Sequence, residues 1–201
     1  MSEGEKSLKI TAVVLTFNEK NHIKECLEHL KPHVDYIVVV DGGSTDGTLT
    51  IANIFADKVE VRPPIKDFGE EREYAWSLAP EDTDWTLFVD VDERFHELFL
   101  PNIRMIIEGV TEQYPETISF RFPRANLPKC SDYPDYQTRL LKNNENIVWK
   151  NKIDDVPTLD GLLLAGIPGK CMTVLDKPIW HFRETRPRWY REGREKRVEA
   201  K

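Results

Sequence analysis

No stretch of this 201-residue chain stays apolar long enough to cross a bilayer, which takes ~18 residues. The longest apolar run of its first half is Tyr36 to Val40. Cysteine is scarce. Cys26, Cys130 and Cys171 are an odd number without metal-ligand spacing, which argues against a disulfide framework or structural zinc and fits a reducing cytoplasm. The first residues, Met1 to Lys6, are polar and do not read as a signal peptide. Net positive charge is also lacking. At −7 overall, the chain is too acidic for simple electrostatic binding of nucleic acid. The exception is residues 183–201, with eight basic side chains against four glutamates. No internal repeat or low-complexity linker appears, so residues 1–201 are expected to form a single domain.

What is present is alternation. Leu8 to Phe17, Tyr36 to Val40, Lys58 to Arg62 and Trp85 to Val89 read as strands. Between them lie helical segments: Ile23, Cys26, Leu27 and Leu30 on one face, then Ile51, Ala52 and Phe55, then Glu70 to Leu78. Such alternation predicts an α/β fold with a mostly parallel central sheet flanked by helices. Strands apolar on both sides imply that both faces of that sheet are covered. Beyond residue 96 the pattern changes. A helix around Glu97 to Glu108, with Pro101 in its first turn, is followed by short strands at Thr117–Phe122, Thr138–Leu141, Ile147–Trp149, Lys170–Val174 and Pro178–Phe182. The basic segment reads as a helix from Pro187, with Thr185 as a cap.

Three strands end in polar signatures on what should be one edge: Thr16-Phe17-Asn18-Glu19, Asp41-Gly42-Gly43-Ser44 and Asp90-Val91-Asp92. Ligands of open α/β sheets bind at that edge. Carboxylates ~5 Å apart repel by about 3 kcal/mol at an effective dielectric of ~20. A hard divalent cation removes the cost, so Asp90-x-Asp92 suggests a metal–phosphate site. A second copy, Asp82-Thr83-Asp84, follows Pro80 and Glu81 with no strand before it and reads as a solvated turn.

Val14 to Glu19, Val38 to Thr48 and Trp85 to Glu93, in that order and spacing, resemble the family 2 glycosyltransferases, whose fold is the A-type nucleotide-diphospho-sugar transferase fold. The resemblance is nearest to the branch acting on lipopolysaccharide-like or other cell-surface glycans, and it is thin beyond residue 96. It divides the domain into a nucleotide-sugar-binding half (8–95), an acceptor half (96–182) and a basic C-terminal helix (183–201).

The resemblance implies that Thr16, Asn18, Glu19 and Asp41 hold the nucleoside, with a cap or turn role as the alternative for Asn18 and Asp41. Asp46 is expected to serve its turn only. Asp92 would bind Mn2+ or Mg2+, with Asp90 near the ribose or the metal's water shell. His181 would complete the metal shell or simply pack among aromatics. Arg72 would face the nucleotide or pair with Glu70, Glu71 or Glu73. The general base of an inverting transfer would be Asp155, with Asp154 second, in the segment that follows Trp149; a surface turn is the alternative there. Relatives often carry Asp-Asp-Gly-Ser where this chain has Asp41-Gly42-Gly43-Ser44, so one acid is missing.

The implied activity is metal-dependent, inverting transfer of a sugar from a nucleotide-diphospho-sugar to a glycan or lipid-linked acceptor. The alternative is a non-catalytic sugar-nucleotide-binding protein of the same fold. A dehalogenase-type phosphatase would need Thr or Val where Arg94 stands, and would place the motif after the first strand. Nucleotidyl transfer would need a glycine-rich loop after the first strand. The expected location is the cytoplasm. The basic segment is either a solvated or oligomer-contacting helix, or a peripheral contact with the inner membrane face.

Overall fold

The computed structural model describes residues 7–63, 67–127, 134–143, 145–150 and 156–182. The expected helix in 183–201, together with Cys130, Asp154 and Asp155, lies outside the described residues. The first half is β1 (Ile10–Thr16), α1 (Lys20–Leu30), β2 (Tyr36–Asp41), α2 (Thr48–Phe55), β3 (Lys58–Val61), α3 (Phe68–Trp76) and β4 (Trp85–Asp90). The second half begins with β5 (Glu93–Phe95) and α4 (Ile103–Gln113), followed by β6 (Ser119–Asn126) and β7 (Asp135–Lys142). Then come β8 (Ile147–Lys150), β9 (Val156–Leu159), β10 (Leu162–Leu163), β11 (Cys171–Thr173) and β12 (Ile179–His181).

Strands β3-β2-β1-β4-β7-β6-β12-β5 form one sheet in that order, with β11 pairing the start of β6. β3, β2, β1 and β4 are parallel neighbours, whereas β7 enters antiparallel to β4. A separate small sheet holds β10-β9-β8. Both faces of the large sheet are covered. Ile10, Ala12, Val14, Ile37, Val39, Leu87 and Val89 pack with Ile23, Leu27 and Leu30 of α1 and with Ile103 and Ile107 of α4. Val13, Val38, Val40 and Phe88 face the other way, toward Ala75 of α3 and Ile147 and Trp149 of β8. Each fully buried side chain of this size contributes about 1.5–3 kcal/mol. Slipping β1 by one residue would exchange its two faces, so the register is strongly specified.

Three local expectations change. α3 begins at Phe68, before the expected Glu70, because the side chain of Asp67 caps it by accepting from Glu70 N at 3.2 Å. Pro101 sits in a 3₁₀ turn, Leu100–Asn102, rather than in the first turn of the α-helix, which starts at Ile103. The Asp82-Thr83-Asp84 turn is more than solvated. Asp84 Oδ2 accepts from Lys9 N at 2.8 Å, and buried Thr83 meets Thr11 Oγ1 at 2.8 Å. The turn therefore latches the start of β1, at the opposite end of β4 from Asp90.

Candidate active site

Register aligns the three polar strand ends. Thr16 pairs opposite Asp41, and Leu15 opposite Asp90. The chain builds outward from β1 through β2 to β3, then crosses to β4 on the other side. The carboxyl ends of β1 and β4 therefore flank a switch point, where such sheets take their ligands.

Two loops on that edge are laced together. Asn18 adopts φ +51, a left-handed conformation that asparagine tolerates. Its N–H donates to Ser44 Oγ at 2.7 Å, and its Oδ1 accepts from Thr45 N at 2.9 Å. Ser44 Oγ donates on to Asp41 Oδ2 at 2.6 Å, while Asp41 Oδ1 accepts from Gly43 N and Ser44 N. Asp41 is fully buried, so its carboxylate organises this turn. Asp46 serves the turn, as expected, and also a longer-range contact: it accepts from Thr48 N, Thr48 Oγ1 and Lys20 N. Burial pushes its carboxyl up, but those hydrogen bonds win and hold it below its ordinary value. Glu19 is buried at the start of α1, and its N–H donates to Thr48 Oγ1. Thr16 Oγ1 is buried without a hydrogen-bond partner among the described residues. A Cβ on Gly42 would lie 3.1 Å from the Phe17 ring, so the glycine that replaces an acid lets this aromatic lie against the backbone.

The acidic turn between β4 and β5 is held by cations. Asp90 Oδ1 accepts from Arg72 Nη2 at 2.9 Å, and Asp90 Oδ2 from Arg139 Nη2 at 2.7 Å. Arg139 also grips Glu93, through Nε to Oε2 at 2.9 Å and Nη2 to Oε1 at 2.8 Å. Arg124 stands 3.6 Å from Glu93 and pairs with Asp135. Burial raises the Asp135 carboxyl, but the charge and hydrogen bonding of Arg124, with help from Gln137 and Arg139, together outweigh it and leave Asp135 below its ordinary value. Arg72 is turned inward to Asp90. It is 4% exposed, and its guanidinium stands 5.0 Å from the Trp149 ring centroid.

Asp92 and His181, 89 residues apart, meet at Oδ2 to Nε2, 2.9 Å, both nearly excluded from solvent. β12 makes the meeting possible, since it sets His181 opposite Glu93 of β5 on one side and opposite Asn126 of β6 on the other. Asn126 Oδ1 lies 2.7 Å from His181 Nδ1. With that oxygen accepting, Nδ1 carries the ring proton and Nε2 turns its lone pair toward Asp92 Oδ2. A proton or a bound cation between the two satisfies both. Oxygen and imidazole donors suit a hard or borderline divalent ion, and donors each ~2.1 Å from one octahedral ion lie ~3 Å apart. The pair fits such a metal. Among the described residues no group of three or more metal-ligating side chains assembles.

Reasoning from sequence named Thr16, Asn18, Glu19, Asp41, Arg72, Asp90, Asp92 and His181, and the structure pairs Arg72 with Asp90 and His181 with Asp92. Arg139, Glu93, Arg124 and Asn126 were missed. The available signal was an arginine inside the apolar strand Thr138–Leu141, since an unpaired charge is hardly ever buried there. Asp154 and Asp155 lie outside the described residues; Lys150 and Val156, which flank that segment, pair across β8 and β9. Trp149 N donates to Glu73, and the Trp149 ring stacks edge-on to Phe88 at 4.9 Å.

The fold is the A-type nucleotide-diphospho-sugar transferase fold, an α/β sheet whose parallel strand ends carry the acidic turn. Glucosyl-3-phosphoglycerate synthase from Mycobacterium tuberculosis, solved with phosphoglyceric acid, superposes over 96% of this chain and 78% of its own, with a TM-score of 0.64 at 16% identity. Another structure of that enzyme, holding Mn2+, UDP and glucosyl-3-phosphoglycerate, gives 0.61 at 18% identity over the same shares. Residues 11–112, half of the chain, match Glycosyl transferase family 2, and the chain belongs to that family. Among curated relatives, an uncharacterized glycosyltransferase of Rickettsia felis is 36% identical over 69% of this chain and 41% of its own length. The lipopolysaccharide core biosynthesis glycosyltransferase LpsC of Rhizobium meliloti is 25% identical over 58% of this chain and 42% of its own. The chain thus spans about two-fifths of these relatives.

Proposed function

We propose that this chain is the donor-binding and catalytic unit of a metal-dependent, inverting glycosyltransferase. It moves a sugar from a nucleotide-diphospho-sugar to an acceptor hydroxyl in cell-surface glycan synthesis. The observation that carries the reading is the buried Asp92–His181 pair, a carboxylate oxygen and an imidazole nitrogen 2.9 Å apart at the carboxyl edge of the sheet.

Asp92 and His181 would hold Mn2+ or Mg2+, which neutralises the charge that develops on the departing diphosphate. Asn126, 2.7 Å from His181 Nδ1, would orient the imidazole so that Nε2 could serve as a ligand. The laced loops around Asn18, Asp41 and Ser44 present Thr16, Phe17 and Glu19 to the nucleoside in one preset shape. In a direct displacement, the bond from the anomeric carbon to the diphosphate oxygen breaks as the acceptor oxygen attacks from the opposite face. The acceptor's proton passes to a carboxylate, assigned to Asp155 and secondarily to Asp154, a contribution of roughly 10²–10⁴ in rate. LpsC is named for lipopolysaccharide core biosynthesis, and a solved protein of like fold holds Mn2+ and UDP; both support the substrate class.

A cytoplasmic location follows from this reading. No helix among the described residues is long and apolar enough to cross a membrane. The basic residues 183–201 suit peripheral contact with an anionic inner leaflet. Unchanged liposome binding after deletion of 186–201 would remove that contact from the proposal.

The test is calorimetric titration of UDP and GDP with manganese, with EDTA, and on Asp92→Ala protein. Manganese-dependent binding of one nucleotide that the variant loses supports the donor site. Binding indifferent to manganese and to the variant refutes it. A donor that binds without turnover would point to a non-catalytic sugar-nucleotide-binding protein.

A further inference from the structure

Arg139 is the largest of the fully buried side chains, and it lies within the strand that joins the parallel half of the sheet to the rest. Burying a guanidinium is costly unless ion pairs and hydrogen bonds compensate it. Here the acidic turn supplies compensation, through three hydrogen bonds from Arg139 to Asp90 and Glu93. Only a guanidinium fork reaches two carboxylates in this way; a lysine is a point charge.

We propose that Arg139 is the positioning residue of the acidic turn, holding Asp90 and Glu93 as ion-paired struts so that a divalent cation is taken by Asp92 and His181 rather than by the whole carboxylate cluster. The inference rests on the donor-site reading of Asp92 and His181. Asp90, Asp92 and Glu93 lie within four consecutive residues, near enough in sequence to converge on one hard cation were they free to turn, yet no three metal-ligating side chains assemble among the described residues. Arg139 prevents that convergence. It occupies both Glu93 oxygens, and one oxygen of Asp90 while Arg72 occupies the other. Asp92 is left turned toward His181. A metal held by this pair keeps coordination positions for a diphosphate, whereas one sunk among all the acids would not.

The test uses a double variant, Arg139→Gln with Glu93→Gln. It removes one buried charge of each sign and keeps amide hydrogen bonding, so the fold is preserved while Asp90 loses its second strut. In a metal-free crystal structure the Asp90 carboxylate should leave its present position. Manganese alone, followed by the electron paramagnetic resonance of the free ion, should bind on the order of tenfold more tightly as Asp90 joins the ligands. Manganese-dependent UDP or GDP binding should weaken at the same time. Arg139→Lys, which keeps the charge but not the fork, should fall between.

Opposite signs for metal and nucleotide separate positioning from a merely structural role, which would weaken both in parallel with the melting temperature. An Asp90 that stays in place, or a manganese affinity that does not rise, overturns the proposal. If wild-type and Asp92→Ala proteins alike take no manganese, the donor-site reading fails. A gain of manganese binding in the double variant would still support Arg139, and no gain would overturn it.

Discussion

Replacing Asn126 with alanine tests the metal centre without touching a ligand. Asn126 is 6% exposed, and its Oδ1 sits 2.7 Å from His181 Nδ1. The substitution leaves a buried ring N–H without its acceptor, at a cost of about 1–3 kcal/mol. It also releases the tautomer. The proton is then free to move to Nε2, where it donates to Asp92 Oδ2 and occupies the position a cation would take. Loss of such an orienting partner lowers metal affinity about 10–100-fold. Manganese affinity should therefore fall by that factor in the variant. Melting in EDTA separates the cost to the fold from the cost to the metal: Asn126→Ala lowers the metal-free melting temperature modestly, and manganese should restore less of it than in the wild type. Manganese binding within twofold of wild type, with the melting temperature lowered, would refute the orienting role and with it the tautomer assigned to His181.

Glu73 supplies a pH prediction. Burial pushes its carboxyl above the ordinary 4.5, against the pull of the Trp149 N–H. A carboxyl raised on folding disfavours the native state once ionised, so the stability it allows is fully present below pH 4.5 and lost as pH rises through the folded value. Glu73→Gln, which keeps the acceptor for Trp149, should melt above wild type at pH 7 and level with it below pH 4.5; a difference independent of pH refutes this. Glycine packing gives a matched pair. A Cβ on Gly69 would come within 3.2 Å of the Lys150 backbone, so Gly69→Ala should destabilise by about 1–3 kcal/mol in urea melts as α3 and β8 part. A Cβ on Gly109 in α4 meets nothing within 4 Å, and Gly109→Ala should stabilise by roughly 1 kcal/mol. Equal effects at the two positions would refute the packing argument.

The sequence by itself determined the parallel half. Apolar runs in β1, β2 and β4 are local, and so is the 3.6-residue stripe of α1. Parallel strands joined by helices must end on a common edge, so Thr16, Asp41 and Asp90 were legible as neighbours before any coordinates. The turn role of Asp46 was legible for the same reason, because its main partners lie two residues away. What tertiary structure alone decided is the company those acids keep. β5 has three residues and no periodicity of its own; it exists because β12, from the far end of the described chain, pairs with it. That pairing brings His181 to Asp92, and β6 brings Asn126 to His181. Whether Asp90 is a free carboxylate or a strut between two guanidiniums depends on Arg139, which lies 49 residues downstream and arrives only when β7 docks antiparallel to β4. Local physics specifies which residues line a strand end. The charge and direction of a carboxylate there depend on partners set by pairings distant in sequence.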